Sequence, residues 1–179
     1  EFLLYSGMDL PKAVMLTIPV PWSQNRDMPR AIQDMYHYYA TMMEPWDGPA
    51  AILFSDGDVV GACLDRNGLR PIRYYLTDDG TVILASEVGV LDLAPGKIVR
   101  KSRLGPGKML LLDTRTGQVR EDEAIKSGYP AAHPYGEWLD RSLVSLRDLP
   151  SPNRKVPHNS QALRDKLYQV FGYTYEDII

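Results

Sequence analysis

A chain of 179 residues with 44% hydrophobic and 24% charged residues has ordinary globular composition and the length for one domain with a real core. Its formal net charge of -3 and pI of about 5.6 leave no electrostatic footprint for a nucleic acid or another polyanion. One cysteine, Cys63, excludes an internal disulfide and fits a reducing cytoplasm; no apolar run approaches the roughly 20 residues of a membrane helix.

Glu1 to Tyr5 reads as the last turns of a helix, closed at Ser6-Gly7 by a left-handed cap. Asp9 is placed to cap a new helix with Pro11 in its first turn, and Ala13 to Ile18 make that helix apolar on most sides, hence buried. Pro19 and Pro21 end it. The spacing of Ile32, Met35, Tyr36, Tyr39, Met42 and Met43 predicts a second helix from about Asp27 to Met43 with these side chains on one packing face.

The period then changes from helix to strand. Ala50–Ser55, the turn Asp56-Gly57 and Val59–Leu64 predict a hairpin. Ile72–Leu76, Asp78-Asp79-Gly80 and Thr81–Ala85 predict another. Shorter strands are expected at Lys97–Lys101, Lys108–Asp113 and Gln118–Arg120, the last two joined by Thr116-Gly117. Helices followed by a run of antiparallel strands argue for an α+β fold. After Tyr129 prolines recur at 130, 134, 150, 152 and 157 and periodicity fades, which predicts an extended linker. Ser160 is placed to cap a last helix, Gln161 to Val170, ended by Phe171-Gly172-Tyr173.

Arg66-Asn67-Gly68-Leu69-Arg70-Pro71 sets two guanidinium groups around a tight turn. Such arginines hold a carboxylate or brace an active-site wall; they are also ordinary surface charges beside a turn that Asn-Gly makes. The residues alone favour the surface reading by roughly two to one. Cys63 sits within a strand pattern with no histidine near it, which is the signature of a buried structural cysteine rather than a nucleophile. His37, His133 and His158 show no metal-ligand spacing, so no zinc site is expected. Glu87, at the end of an apolar strand in Ala85-Ser86-Glu87, is a candidate for burial against Arg66, Arg70 or Arg73, or for a helix start capped by Ser86.

Glu44-Pro45-Trp46-Asp47-Gly48-Pro49, the run Leu64 to Tyr75 and the run Ala85 to Asp92, in this order, resemble the class II glutamine amidotransferase (glutaminase) domain of glutamate synthase large subunits. The resemblance covers about Leu3 to Ile125. It implies a partial N-terminal-nucleophile-type αββα sandwich with antiparallel sheets, residues 1–128 forming its second half and 129–179 a proline-rich linker and helix leading to a central domain. It further implies a parent that hydrolyses glutamine and feeds ammonia to the reductive amination of 2-oxoglutarate. That parent would use FMN and an iron–sulfur cluster, with a small subunit or ferredoxin as partner.

Arg66, Asn67, Gly68, Arg70 and Glu87 become the expected active-site framework. The family's N-terminal cysteine, its His-Asn-Gly oxyanion run and its Ser-Asp-Ser substrate run are not in these residues. Asn67-Gly68 follows Arg66, not histidine, so it is not assigned the oxyanion role. The absent initiator methionine is read as the edge of a longer protein, and the chain by itself is expected to be inactive and to self-associate through uncovered sheet or apolar surface. Two alternatives stay open: an amidotransferase of the phosphoribosyl pyrophosphate type, and a non-catalytic interaction module on the same fold.

Overall fold

The computed structural model describes residues 1–150 and 158–178 and divides the chain into two units, 1–143 and 144–179. In the first unit, α1 (Phe2–Tyr5) ends at Gly7, whose φ of 87° supplies the left-handed turn. The Asp9 carboxylate then accepts the Lys12 backbone N–H at 2.8 Å and starts α2 (Leu10–Thr17), where Ala13, Met15 and Leu16 are buried. The next helix, α3 (Arg30–Ala40), begins after Pro29 and is shorter than expected. Its last turn closes at Thr41, whose N–H and hydroxyl both bond the Tyr38 carbonyl, so Met42 leaves the packing stripe and is half-exposed.

The predicted hairpins form. One sheet has the order β1-β2-β6-β7, from β1 (Ala51–Ser55), β2 (Val59–Leu64), β6 (Met109–Asp113) and β7 (Val119–Glu121). The other has the order β4-β3-β5, from β3 (Arg73–Thr77), β4 (Val82–Ala85) and β5 (Ile98–Arg103). Every pairing is antiparallel. Strand alternation sorts the first sheet into two faces. Ile52, Cys63 and Met109 lie abreast in register and pack with Leu111 against the helices. Ala62, Leu64 and Leu110 point the other way and meet Tyr74 of the second sheet together with Ile72 and Leu104, which stand next to the ends of β3 and β5.

The layers are therefore helix, sheet, sheet, three of the four expected of the sandwich. The outer face of the second sheet carries Arg73, Lys101 and Arg103, all exposed. Gly61 fits this core because it has no side chain: a Cβ there would overlap the Phe54 ring and lie 2.7 Å from Leu111 Cδ2. At the edge of the first sheet, β1 pairs only with β2 among the described strands, and its Leu53 is 56% exposed on the face turned toward the second sheet.

The segment after Tyr129 corrects the expectation of an extended linker. A 3-10 turn at Pro130–Ala132 leads into α5 (Tyr135–Ser142), after the short α4 (Asp122–Lys126) that follows β7. Tyr135 and Leu139 are buried, with Tyr38 ring centroids 5.3 Å from both Tyr135 and Trp138. The apolar spacing 135, 138, 139 is helical, and Pro134 stands just before the helix, where a missing N–H is harmless. Gly136 lets α5 approach α3, since a Cβ there would sit 2.7 Å from Asp34 Oδ2.

In the second unit, a 3-10 turn at Leu146–Asp148 precedes α6 (Gln161–Phe171) and α7 (Tyr175–Ile178). Ser160 caps α6 by accepting the Leu163 N–H at 3.3 Å, and Gly172 ends it with φ 71°. Pro152 and Pro157 lie outside the described residues. Among the described residues no helix is long and apolar enough to cross a membrane.

Candidate functional site

Asp65, only 3% exposed, ties together the segments that carry the sequence resemblance. Its Oδ1 accepts the Ala50 N–H at 3.0 Å, and its Oδ2 accepts the N–H groups of Asn67 at 2.9 Å and Gly68 at 3.2 Å. Its own N–H donates to the Ala50 carbonyl at 3.0 Å, and its carbonyl accepts the N–H of Gly68 at 3.0 Å and of Gly107 at 2.8 Å. These bonds join three stretches: the approach to β1 after Trp46-Asp47-Gly48-Pro49, the turn at Arg66–Arg70, and the turn Gly105-Pro106-Gly107. Bonds to backbone N–H, from Ala50 first, hold the Asp65 carboxyl below the usual carboxylate range. Nothing singled out Asp65 beforehand, although an aspartate opening a turn two residues before Asn-Gly is a known turn signal.

Of the expected framework, Asn67 and Gly68 belong to this clamp. Gly68 has φ 60°, and a Cβ on it would lie 2.8–2.9 Å from Cα, Cβ and Cγ of Pro106. Arg66 reaches back to the approach segment, Nη2 donating to Asp47 Oδ1 at 3.1 Å. That pair is exposed and adds little stability by itself, but it ties the turn to the segment that carries Trp46, which is 54% exposed. Arg70 is exposed. Glu87 is not where its expected roles need it. It is exposed, makes no ion pair with Arg66, Arg70 or Arg73 among the described residues, and lies in bends rather than at a helix start. It lies two residues beyond the end of β4, in the bend formed with Ser86. Together the clamp presents Arg66, Asn67 and Arg70 on one solvent-facing turn with two forked donors suited to a carboxylate.

A second cluster braces that turn from below. Lys126, buried on α4, donates to Asp122 Oδ1 at 2.6 Å and to the Gly107 carbonyl at 2.7 Å. Asp122 also receives Lys108 Nζ and the Met109 N–H, each at 3.0 Å. Burial lowers the Lys126 pKa, against the pull of Asp122. Beside it lies Cys63, buried and free, its thiol pushed up to about 12 mainly by burial. Such a thiol is not a nucleophile at neutral pH. Ellman's reagent is expected to leave Cys63 unmodified in the folded chain and to titrate it fully in denaturant; fast reaction under native conditions would contradict this placement. The Tyr36 hydroxyl, also buried, has no hydrogen-bond partner among the described residues, and burial raises its pKa.

Two histidines lie against tryptophans. His37 stacks on Trp22 with centroids 5.4 Å apart, and His133 on Trp138 at 5.4 Å. Among the described residues no group of three His, Cys, Asp or Glu could hold a metal ion. One charged group was wholly unanticipated. Lys12, 8% exposed, donates to Tyr135 Oη at 3.1 Å and lies among the rings of Tyr39, Tyr129 and Tyr135. Nothing in the linear pattern marks it, since one lysine in an apolar helix passes for a solvent-facing charge.

The family of class-II glutamine amidotransferases matches residues 1–138. Among curated relatives, the glutamate synthase [NADPH] large chain of Bacillus subtilis is 43% identical over 178 residues, covering 99% of this chain and 12% of the relative. The chloroplastic ferredoxin-dependent glutamate synthase of Oryza sativa is 45% identical over 182 residues, covering 99% of this chain and 11% of the relative. The glutamate synthase [NADH] of Schizosaccharomyces pombe is 41% identical over 189 residues, covering 99% of this chain and 9% of the relative. The chain thus spans about a tenth of the length of these relatives. The match takes in α2, both sheets, the Asp65 clamp and the first half of α5, and the chain therefore belongs to the class-II glutamine amidotransferases.

Proposed function

We propose that these residues form part of the glutaminase domain of a glutamate synthase, which hydrolyses glutamine to supply ammonia for the reductive amination of 2-oxoglutarate to glutamate. The observation that carries this reading is identity of 41–45% along 99% of the chain to proteins named glutamate synthase. Those names cite NADPH, ferredoxin and NADH, so this segment is common to enzymes with different electron donors. In this reading the Asp65 clamp holds Arg66, Asn67, Gly68 and Arg70 as one wall of the glutamine site, with Glu87 at its margin. The nucleophile comes from elsewhere in the parent polypeptide, because the one thiol here is sealed in the core.

FMN and the iron–sulfur cluster of such a parent also belong to other regions. A cluster is held by several cysteine thiolates, and this chain has a single cysteine. Residues 1–143 are assigned to the glutaminase domain, with 144–179 leading toward the central domain. A reducing compartment, the cytoplasm in the simplest case, fits the lone free thiol. Its partners are the remainder of the parent chain and a small subunit or ferredoxin.

A segment exchange tests the reading. The aligned part of the Bacillus subtilis large chain is replaced by this chain, and glutamate formation is measured with glutamine and, separately, with ammonium. Glutamine-dependent synthesis is expected to survive. Retained ammonium-dependent synthesis with loss of the glutamine-dependent reaction would reject it, because the exchange would then fold but not serve the glutaminase.

The open edge of β1 and the apolar groove of about 520 Å³ beside it, lined by Leu4, Leu10, Val14, Ile18, Trp46 and Ile52, are where the rest of the parent domain would pack. Alone, the chain is expected to self-associate through that edge. Sedimentation over a hundredfold concentration range should show mass rising with concentration; a monomer throughout would show that the edge is adequately protected.

A further inference from the structure

A second groove, of about 540 Å³, opens on the other side of α2, between the start of the chain, α3 and the segment Tyr129–Trp138. Its floor holds Lys12 and its walls include Leu3, Met8, Tyr38, Met42 and Trp138. An ammonium has three N–H donors. That of Lys12 meets one phenol oxygen, Tyr135 Oη at 3.1 Å, and forms no ion pair within 4.0 Å among the described residues. The rings of Tyr39, Tyr129 and Tyr135, with centroids 5.2, 5.9 and 5.8 Å away, offset part of its desolvation. They leave its charge without a directly paired carboxylate, Asp9 in the same groove being bonded to backbone and phenol instead, and its remaining donors without strong acceptors, an expensive state for a group 8% exposed.

We propose that this groove binds a small organic monocarboxylate, its carboxylate on Lys12 and Tyr135 and its apolar body against Tyr38, Met42 and Trp138. The charge of the ligand follows from Asp9, which also lines the groove. Asp9 is already engaged, its Oδ1 accepting the Lys12 N–H at 2.8 Å and the Tyr129 hydroxyl at 3.0 Å. Its negative charge opposes a doubly charged phosphate more than a carboxylate. The apolar walls would be left wet by a bare inorganic anion. This site is separate from the Asp65 clamp and stands or falls independently of the glutaminase reading.

The probes are 3-phenylpropionate, its neutral amide and inorganic phosphate, titrated into the 179-residue chain while backbone amide NMR shifts are followed. Phenylpropionate is expected to saturate, with shifts confined to residues 3–12, 38–42 and 129–138, and to bind at least about tenfold tighter than the amide, the usual gain from one charge-assisted bond. Phosphate is expected to bind more weakly still. Lys12→Met keeps the length of the side chain and should remove the preference for acid over amide. Absence of saturation by phenylpropionate in the unaltered chain overturns the proposal whether or not the variant folds. Equal binding of acid and amide also overturns it, and would make Lys12 a purely structural cation held by its three rings.

Discussion

Asp65→Asn is expected to lower the unfolding free energy of the first unit by about 3 kcal/mol, the scale for losing charge-assisted bonds and stranding buried donors. The substitution keeps size and shape but turns one acceptor oxygen into an N–H2 donor. The side chain now receives three N–H groups, from Ala50, Asn67 and Gly68, so whichever way the amide points, a donor faces a donor. Denaturant midpoints with unchanged slopes would measure the loss; a shift below about 0.5 kcal/mol, the usual scale of an indifferent surface change, would show that the clamp contributes nothing.

The same carboxylate gives a pH signature. Its folded pKa is lowered, so its contribution is fully present above the unfolded carboxylate value of about 4 and disappears as pH falls through the lower folded value. The Asn variant should therefore lose less stability on acidification than the unaltered chain.

Gly68→Val is expected to be comparably damaging, at about 3 kcal/mol, by two added causes. A φ of 60° forces a β-branched residue into the left-handed region. Its Cβ would also press on the backbone and ring of Pro106 at 2.8–2.9 Å, where a proline cannot rotate away. Gly80→Val separates the two causes: φ is 83° there, but nothing lies within 4 Å of the added Cβ. Conformational strain alone is expected at Gly80, strain plus overlap at Gly68. Equal losses at both positions would mean that the contact with Pro106 is soft.

The strands were legible because period-2 alternation and Gly-centred turns are local signals. The Asp56-Gly57 and Asp79-Gly80 hairpins fall at their expected turns, with φ 100° and 83° at the glycines. The Asp9 and Ser160 caps were legible for the same reason. What escaped was non-local. Helix α5 is short and preceded by prolines, and it packs on Tyr38 and Tyr39, about a hundred residues earlier in the chain. Asp65, and Lys126 in its bond to the Gly107 carbonyl, act on backbone groups distant in sequence, which no residue pattern displays. Glu87 was placed by analogy with the strand end before it, and the bends after β4 turn it outward instead. The resemblance points to the turn at Arg66–Arg70 and gives no sign of Asp65, the carboxylate that bonds the N–H groups of Asn67 and Gly68 in it.

The bond between Lys12 and Tyr135 spans 123 residues, and the contact between the hydroxyls of Tyr39 and Tyr135 spans 96. The hairpins β1–β2, β3–β4 and β6–β7 close loops of a few residues each. Loop-closure entropy therefore orders assembly: the hairpins zip early, and docking of α5 on α3 comes late. A ribosome must extrude residues up to Ser142 before the helical layer can seal. Until then the face of Cys63, Met109 and Leu111 waits under an incomplete roof, a window in which a chaperone could grip it. The reverse holds in the finished protein, where α5 is the natural first element to lift, taking with it one ring of the Lys12 cage and leaving both sheets intact.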